Sequence, residues 1–130
     1  MSHVGEYFDR IFLTALGSSK AKRVEKVRQA EDATGYSGFI RDRLTLTNDD
    51  LLELTEYVEI QAGEMIVTRY RHHWQNKEGQ CIKRWGNAPH HRQVSSFPHH
   101  LHDGAEENVV EHLPVNALQI LNLVMQSIEQ

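Results

Sequence analysis

The chain is poor in several features that would place a small protein in a familiar class. Its 130 residues include one cysteine, Cys81, which excludes an internal disulfide and a zinc site made of several cysteines. It has no run of eighteen apolar residues, so no membrane span is predicted. The first ten residues, MSHVGEYFDR, lack the basic end and the apolar run of a signal peptide. These absences together predict a cytoplasmic protein.

Basic residues are missing from the last part of the chain. No Lys or Arg follows residue 93, where five acidic residues lie, whereas residues 69–92 contain six Lys or Arg and one acid, Glu78. The formal net charge of −4 argues against a nucleic-acid partner, but a chain that is acidic overall can still present one basic face. The alternative interpretation is a pair of solvated basic strands.

Apolar residues follow a helical period near both ends of the chain and an alternating period between them. Residues 4–16 have helical spacing, and a second helix is predicted to begin at Pro114. Residues 39–85 alternate between apolar and polar side chains, with turn residues between the alternating segments. Residues 20–30 fit either a helix or a first strand.

The order of these segments predicts the fold class. The length fits a single domain over residues 1–130, and short loops between consecutive strands indicate an antiparallel meander. We therefore predict an α+β fold, in which an antiparallel β-meander of four or five strands packs in two layers against an N-terminal and a C-terminal helix.

The predicted sheet has a second, polar face. Side chains two residues apart on a strand share a face, which groups Arg41, Arg43, Glu53, Thr55, Tyr57, Arg69, Arg71 and His73. This set mixes positive charges, a carboxylate and a phenol. It is typical either of a solvated face with cross-strand ion pairs or of a surface that binds an anionic ligand.

A stretch rich in histidine and proline follows the meander and is predicted to be a loop over residues 86–103. It contains five of the nine histidines, in the sequence RWGNAPHHRQVSSFPHHLH. The residues expected to form the loop are Asn87, Pro89, Phe97 and Pro98, because proline restricts the backbone, asparagine tolerates turns and phenylalanine anchors a loop by apolar contact. A structural interpretation is that one histidine of each pair pins this loop by donating to a backbone carbonyl.

Four motifs between Tyr36 and Asp103 resemble the TumE family of bacterial toxins. They are YVEI at 57–60, YRHHWQ at 70–75, RWGNAPHH at 84–91 and FPHHLH at 97–102. Family members commonly carry Asp where this chain has Gly86. The resemblance implies a toxin–antitoxin module with a helix-turn-helix antitoxin as partner, and interference with translation, often through RNA cleavage.

The residues themselves supply the groups that metal-free RNA cleavage needs. Two imidazoles near neutral pH serve as base and acid, and we assign His91 and His100. Arginines supply positive charge for the phosphate, and we assign Arg69, Arg71 and Arg84. Tyr57 is expected to orient the substrate or to stack on a base. The expected activity is that of a metal-independent endoribonuclease.

Other interpretations of the same residues remain open. No cofactor is expected, but imidazoles also bind zinc or another transition metal. The ligands would be His90, His99 and His102, or else His100 and His102, which lie on one side of an extended chain, together with His90 or His91. The domain could instead bind RNA or another anionic ligand without chemistry, with salt-dependent affinity. It could also be chiefly a contact surface for its antitoxin, and an open sheet edge would allow a homodimer.

Overall fold

The computed structural model describes residues 3–128, which form two helices and seven strands. In chain order they are α1 (Val4–Leu16), β1 (Ala21–Glu31), β2 (Ser37–Leu46), β3 (Leu51–Gln61), β4 (Glu64–Gln75), β5 (Cys81–Gly86), β6 (His100–Asp103), β7 (Val109–Glu111) and α2 (Ala117–Ser127).

The strands form one antiparallel sheet in which spatial order follows chain order from β1 to β7. The predicted α+β class, with a helix at each end, is confirmed. The predicted number of four or five strands is wrong. The segment over residues 20–30, which fitted either element, is a strand, since β1 covers Ala21–Glu31. Two short strands, β6 of 4 residues and β7 of 3, lie in segments whose alternation is too brief to detect.

The boundaries of the histidine-rich segment also differ from the prediction of a loop over residues 86–103. Gly86 ends β5 and His100 begins β6, so the loop connecting the two strands covers residues 87–99. β6 pairs with β5 and β7, and backbone pairing on both sides holds His100 and His102 in register. The second helix begins at Ala117 rather than Pro114, because Asn116 caps it by a reciprocal capping box with Gln119.

The two helices and the inner face of the sheet enclose the core. α1 buries Val4, Tyr7, Phe8, Ile11 and Ala15, and α2 buries Ala117, Ile120, Leu121 and Val124. The facing strands contribute alternate residues, as the period of two predicted. Those buried on β2 and β3 include Ile40, Leu44, Leu46, Leu52, Leu54 and Val58.

A buried carboxylate lies at the centre of this core. Glu56 on β3 is 0 % exposed and accepts hydrogen bonds from the Tyr7 hydroxyl (2.6 Å), the ring of His72 (3.1 Å) and the backbone N–H of Ala117 (2.6 Å). These donors come from α1, β4 and the first turn of α2. An N–H at a helix N-terminus stabilises a negative charge, so Glu56 ties both helices to the sheet.

The protonation of His72 follows from its two partners. Its Nδ1 accepts from the backbone N–H of Thr55 at 3.3 Å, so the proton lies on Nε2, which donates to Glu56. His72 is therefore a neutral histidine of the core, 0 % exposed. Burial, followed by the charge of Glu56, raises the pKa of Tyr7 far above its usual value, so Tyr7 remains a donor.

We expect Glu56→Gln to lower the free energy of unfolding by about 2 kcal/mol or more, because an amide leaves at least one of three buried donors without an acceptor. Urea denaturation measures the change. Glu59→Gln is the matched control, since Glu59 lies on the same strand and is exposed, and it should change stability by less than about 0.5 kcal/mol. Equal effects of the two substitutions would contradict the central role of Glu56.

A second carboxylate, Asp42 on β2, is buried without such partners. It is 0 % exposed, and neither oxygen has a hydrogen-bond partner in the described part of the chain. Burial raises its pKa to about 6, and Lys26, its neighbour across the β1–β2 pair, opposes this only in part. The inner face of the sheet therefore carries a carboxyl group that keeps its proton to a higher pH than an exposed aspartate does.

We expect the buried Asp42 to make stability fall as pH rises from about 4 to about 7. The folded protein holds this proton up to a pKa of about 6, whereas the unfolded chain releases it near 3.8, so the stabilising effect is complete below 3.8 and is lost above 6. Asp42→Asn should raise stability at pH 7.5 by about 1–3 kcal/mol more than at pH 4. Urea denaturation at both pH values measures the difference, and exposed Asp9→Asn is the control. A gain that does not depend on pH would refute this assignment.

Candidate functional site

The outer face of the sheet carries the polar residues that alternation placed together. Strand register places Arg41, Thr55 and Arg71 in one row across β2, β3 and β4. The next row runs from β2 to β6 and contains Arg43, Glu53, His73, Arg84 and His102. A third row contains Phe39, Tyr57 and Arg69. We call this surface the polar face.

Ion pairs divide the arginines of the polar face into two groups. Arg43 donates twice to Glu53 (2.9 and 3.1 Å), and Arg84 pairs with Glu106 at 2.7 Å. Within residues 3–128, neither Arg69 nor Arg71 forms an ion pair with a carboxylate, and both are exposed. Two positive charges are therefore left for an anionic ligand.

A cleft of about 430 Å³ opens on the polar face next to the histidine-rich loop. Its walls combine arginines, aromatic rings and imidazoles. Among the lining residues are all six that the sequence suggested for catalysis and phosphate binding, namely Tyr57, Arg69, Arg71, Arg84, His91 and His100. The tertiary structure brings these residues together from β3, β4, β5, the loop and β6.

Three imidazoles at one end of the cleft form what we call the histidine cluster: His91, His100 and His102. Their ring centroids are 4.6 to 5.2 Å apart, with the rings nearly perpendicular. One nitrogen of each ring lies within 4.8 Å of the others. His100 and His102 are buried on β6, whereas His91 on the loop is partly exposed.

The cluster coincides with one set of metal ligands considered from the sequence, His100 and His102 with His91, and differs from the other set. Of His90, His99 and His102, only His102 belongs to it. His90 lines the cleft but is not part of the three-nitrogen set. His99 lies elsewhere, with its Nδ1 2.8 Å from the hydroxyl of Tyr70, because adjacent side chains in an extended segment point to opposite sides.

Backbone carbonyls determine the tautomers of the two buried imidazoles. The Nδ1 of His100 lies 2.9 Å from the carbonyl of Pro98, and the Nδ1 of His102 lies 2.6 Å from that of Glu106. A carbonyl only accepts, so both Nδ1 atoms carry protons and both Nε2 atoms have free lone pairs in the neutral ring. A hydrogen bond from Arg84 supports this tautomer of His102, since Nη2 of Arg84 donates to Nε2 of His102 at 3.1 Å.

The environment of these two rings favours their neutral form. Burial lowers the pKa of His100 and of His102 below the ordinary value of 6.5, and the nearby Arg84 and His91 lower it further. Hydrogen bonds to the two carbonyls act in the opposite direction without reversing it. At pH 7 the Nε2 atoms of His100 and His102 are therefore unprotonated.

The loop over residues 87–99 is pinned to the sheet by side chains that the sequence suggested as loop-forming. Asn87 accepts from the backbone N–H of Tyr70 (2.9 Å) and donates to the carbonyl of Thr68 (3.1 Å), both on β4. Phe97 lies under the guanidinium of Arg92 at 5.2 Å, and Pro98 supplies the carbonyl that orients His100. Pro89 is exposed.

Sequence reasoning missed several residues of this site. Phe39 and Tyr70 line the cleft, and the ring of Phe39 lies 4.7 Å from that of Tyr57. The alternation of β2 could have placed Phe39, which is two residues from Arg41 and shares its face. Glu106, the partner of Arg84, lies beyond the loop in an acidic segment, and no pattern in the sequence connects it to β5.

We expect NMR to find both His100 and His102 as neutral rings protonated on Nδ1 at pH 7, because each Nδ1 faces a carbonyl. Long-range 1H–15N correlation spectra distinguish the tautomers directly. His112, which lies outside the histidine-rich loop and outside the cleft, provides a histidine signal for comparison. Both rings should gain a proton only below pH 6.5, since burial lowers their pKa. A proton on either Nε2, or a charged ring at pH 7, would contradict this geometry.

Comparison with known proteins supports the resemblance seen in the four motifs. A family model described as Toxin TumE matches residues 11–130, a longer stretch than the motifs span. No curated protein and no solved structure matches the chain. Within residues 3–128, neither helix is long and apolar enough to span a membrane.

Proposed function

The chain belongs to the TumE family of toxins, and from this premise we propose that it cleaves RNA in the cleft by metal-independent chemistry of His91 and His100. The observation that carries the proposal is the meeting of these two imidazoles, 4.6 Å apart between ring centroids, with Arg69, Arg71 and Arg84 in one cleft.

The base in this reaction is His100. Its Nδ1–H is held by the carbonyl of Pro98, so its unprotonated Nε2 takes the proton of a ribose 2′-hydroxyl. The 2′-oxygen then attacks the adjacent phosphorus, and the bond from phosphorus to the 5′-oxygen breaks. His91 is the least buried imidazole of the cluster, so its charged form keeps contact with water, and it donates a proton to the leaving 5′-oxygen. The products are a 2′,3′-cyclic phosphate and a 5′-hydroxyl.

The arginines stabilise the negative charge that develops on the phosphorane. Arg69 and Arg71 are unpaired with carboxylates in the described chain and line the cleft, so they bind phosphate oxygens without first breaking an ion pair. Arg84 donates to Nε2 of His102 and pairs with Glu106, which holds its guanidinium beside the imidazoles. Preorganised positive charge of this kind is commonly the largest electrostatic contribution to such a reaction.

The substrate in this proposal is single-stranded RNA, because aromatic side chains at the cleft can stack on unpaired bases. The ring of Tyr57 is 46 % exposed and lies 4.7 Å from Phe39. Exposed rings beside arginines provide stacking surfaces for unpaired bases. Tyr57 therefore binds a base next to the scissile phosphate.

Membership of a toxin family implies a cognate antitoxin in general. Our proposal adds that this antitoxin is a helix-turn-helix protein, that both act in the cytoplasm where RNA is accessible, and that the antitoxin covers the basic cleft. The edge strand β1, whose outer side is unpaired within the described sheet, provides a surface for a homodimer.

We expect purified protein to cleave single-stranded RNA in the presence of EDTA, and His91→Ala and His100→Ala each to slow cleavage by about 10²–10⁴-fold, the range for loss of a general acid or base. Gel analysis of end-labelled RNA measures the rates and identifies the cyclic phosphate. His112→Ala is the matched control, because His112 is partly buried outside the cleft.

Two results would overturn the assignment. Full activity in both histidine variants would exclude the His91–His100 pair as acid and base. A folded wild-type protein that binds RNA with salt-dependent affinity but does not cleave it would show a binding module, and then Arg71→Ala would weaken binding more than His100→Ala.

A further inference from the structure

The third imidazole of the cluster, His102, has no part in the proposed reaction, yet it is built like its neighbour His100. It is 3 % exposed, its Nδ1–H is held by a carbonyl, and its ring centroid lies 5.1 Å from that of His100 and 5.2 Å from that of His91. Both of its ring nitrogens have partners, the Glu106 carbonyl at Nδ1 and the Arg84 side chain at Nε2.

The contacts around His100 and His102 resemble those around metal-binding histidines. A ligating imidazole commonly donates its other ring N–H to a backbone carbonyl, which fixes the tautomer and the ring direction. Both rings on β6 do so, through Pro98 and Glu106. Since they are two residues apart on one strand, their Nε2 lone pairs lie on the same side as His91.

The donor set selects a class of ion. The cluster contains three imidazoles and no carboxylate or thiolate, which suits zinc, copper or nickel rather than calcium or magnesium. With bonds of about 2.0–2.1 Å, ligand nitrogens around a tetrahedral zinc ion are about 3.3 Å apart. The three nitrogens here lie within 4.8 Å of one another, so ring shifts of roughly 1 Å close the site.

We propose that His91, His100 and His102 bind one divalent transition-metal ion of the zinc class, and that a bound ion switches off the RNA cleavage proposed above. The binding site stands on the geometry of the cluster alone, whereas the inhibition rests on the proposed function.

A bound ion inhibits RNA cleavage because it occupies the same nitrogen atoms that the proposed reaction uses. The ion takes the Nε2 lone pair of His100, which the proposed reaction uses to remove a proton, and it also occupies His91, the proton donor. Its bond to Nε2 of His102 replaces the hydrogen bond from Arg84 at 3.1 Å, which leaves Arg84 with Glu106 as its partner at 2.7 Å. Metal binding and catalysis therefore exclude one another.

Arg84 competes with the ion both by its hydrogen bond and by its positive charge. Removing that charge should tighten metal binding, and we expect Arg84→Gln to lower the Kd for Co²⁺ by about tenfold. A merely structural role of Arg84 would weaken binding or leave it unchanged, so the sign of this effect is diagnostic.

A rival group on the polar face serves as an internal control. His73, Cys81 and Glu106 also lie within ligand distance of one another. Glu106 is already paired with Arg84, however, and burial raises the pKa of the Cys81 thiol, which opposes the thiolate that a metal needs. Cys81→Ser should therefore leave metal binding unchanged.

The experiment is a titration of tag-free, metal-stripped protein with Co²⁺, read by visible absorption, and with Zn²⁺, read by calorimetry. We expect one ion per chain, a loss of affinity of at least tenfold in His100→Ala and in the conservative His102→Gln, and no change in Cys81→Ser or His112→Ala. Circular dichroism verifies that each variant is folded. No binding up to millimolar metal, or binding by His100→Ala and His102→Gln as tight as that of the wild-type protein, would overturn the site.

Cleavage assays on the same samples test the inhibition separately. Zn²⁺ should inhibit wild-type cleavage at the concentration at which it binds, and the residual cleavage by His102→Gln should be insensitive to that concentration. Metal binding in a protein that never cleaves RNA would refute the proposed function and leave the binding site intact. Cleavage that EDTA abolishes and Zn²⁺ restores would overturn the inhibition and make the ion a catalyst.

Discussion

The arrangement of the whole molecule depends on one buried carboxylate. Glu56 accepts hydrogen bonds from α1, β4 and α2, so the two helices at opposite ends of the chain meet over a single point of the sheet. A charge buried in an apolar core is tolerated only when its lone pairs are satisfied. The donors from α1 and α2 reach Glu56 only when both helices lie on the same face of the sheet. Within residues 3–128, the opposite face of β2–β5 is therefore free of helices.

The same network continues from the core toward the cleft. His72, which donates to Glu56, stacks against Tyr70 with ring centroids 5.5 Å apart, and the Tyr70 hydroxyl bonds to His99 at 2.8 Å. The backbone N–H of Tyr70 also binds Asn87. Both ends of the histidine-rich loop are thus fastened to β4. Since His99 directly precedes β6, the position of the imidazoles in the cleft depends on hydrogen bonds that begin in the core.

The charged residues in and beside the cleft fall into paired and unpaired arginines. Glu53 and Glu106 neutralise Arg43 and Arg84 in part, while Arg69 and Arg71 keep their charge available. Burial keeps the pKa of His100 low beside these cations, so this imidazole presents a lone pair rather than a further positive charge. A neutral base next to exposed cations suits a polyanion with an ionisable hydroxyl. The same lone pairs suit a transition-metal ion, and the two uses compete for the same atoms.

The sequence by itself determined the α+β class, the helix at each end, the central strands and the polar face, because those features are periodic: side chains repeat every 3.6 residues on a helix and every two on a strand. Its motifs also indicated the family, which the match over residues 11–130 confirms. Only the tertiary structure decided what depends on contacts distant in sequence. Two short strands form because the sheet is already there to pair with, Glu56 gains donors 49 and 61 residues away, and His91 joins His100 and His102 while His99 turns away. No local pattern contains that information, since the choice between His99 and His100 is made by which side of β6 faces the cleft.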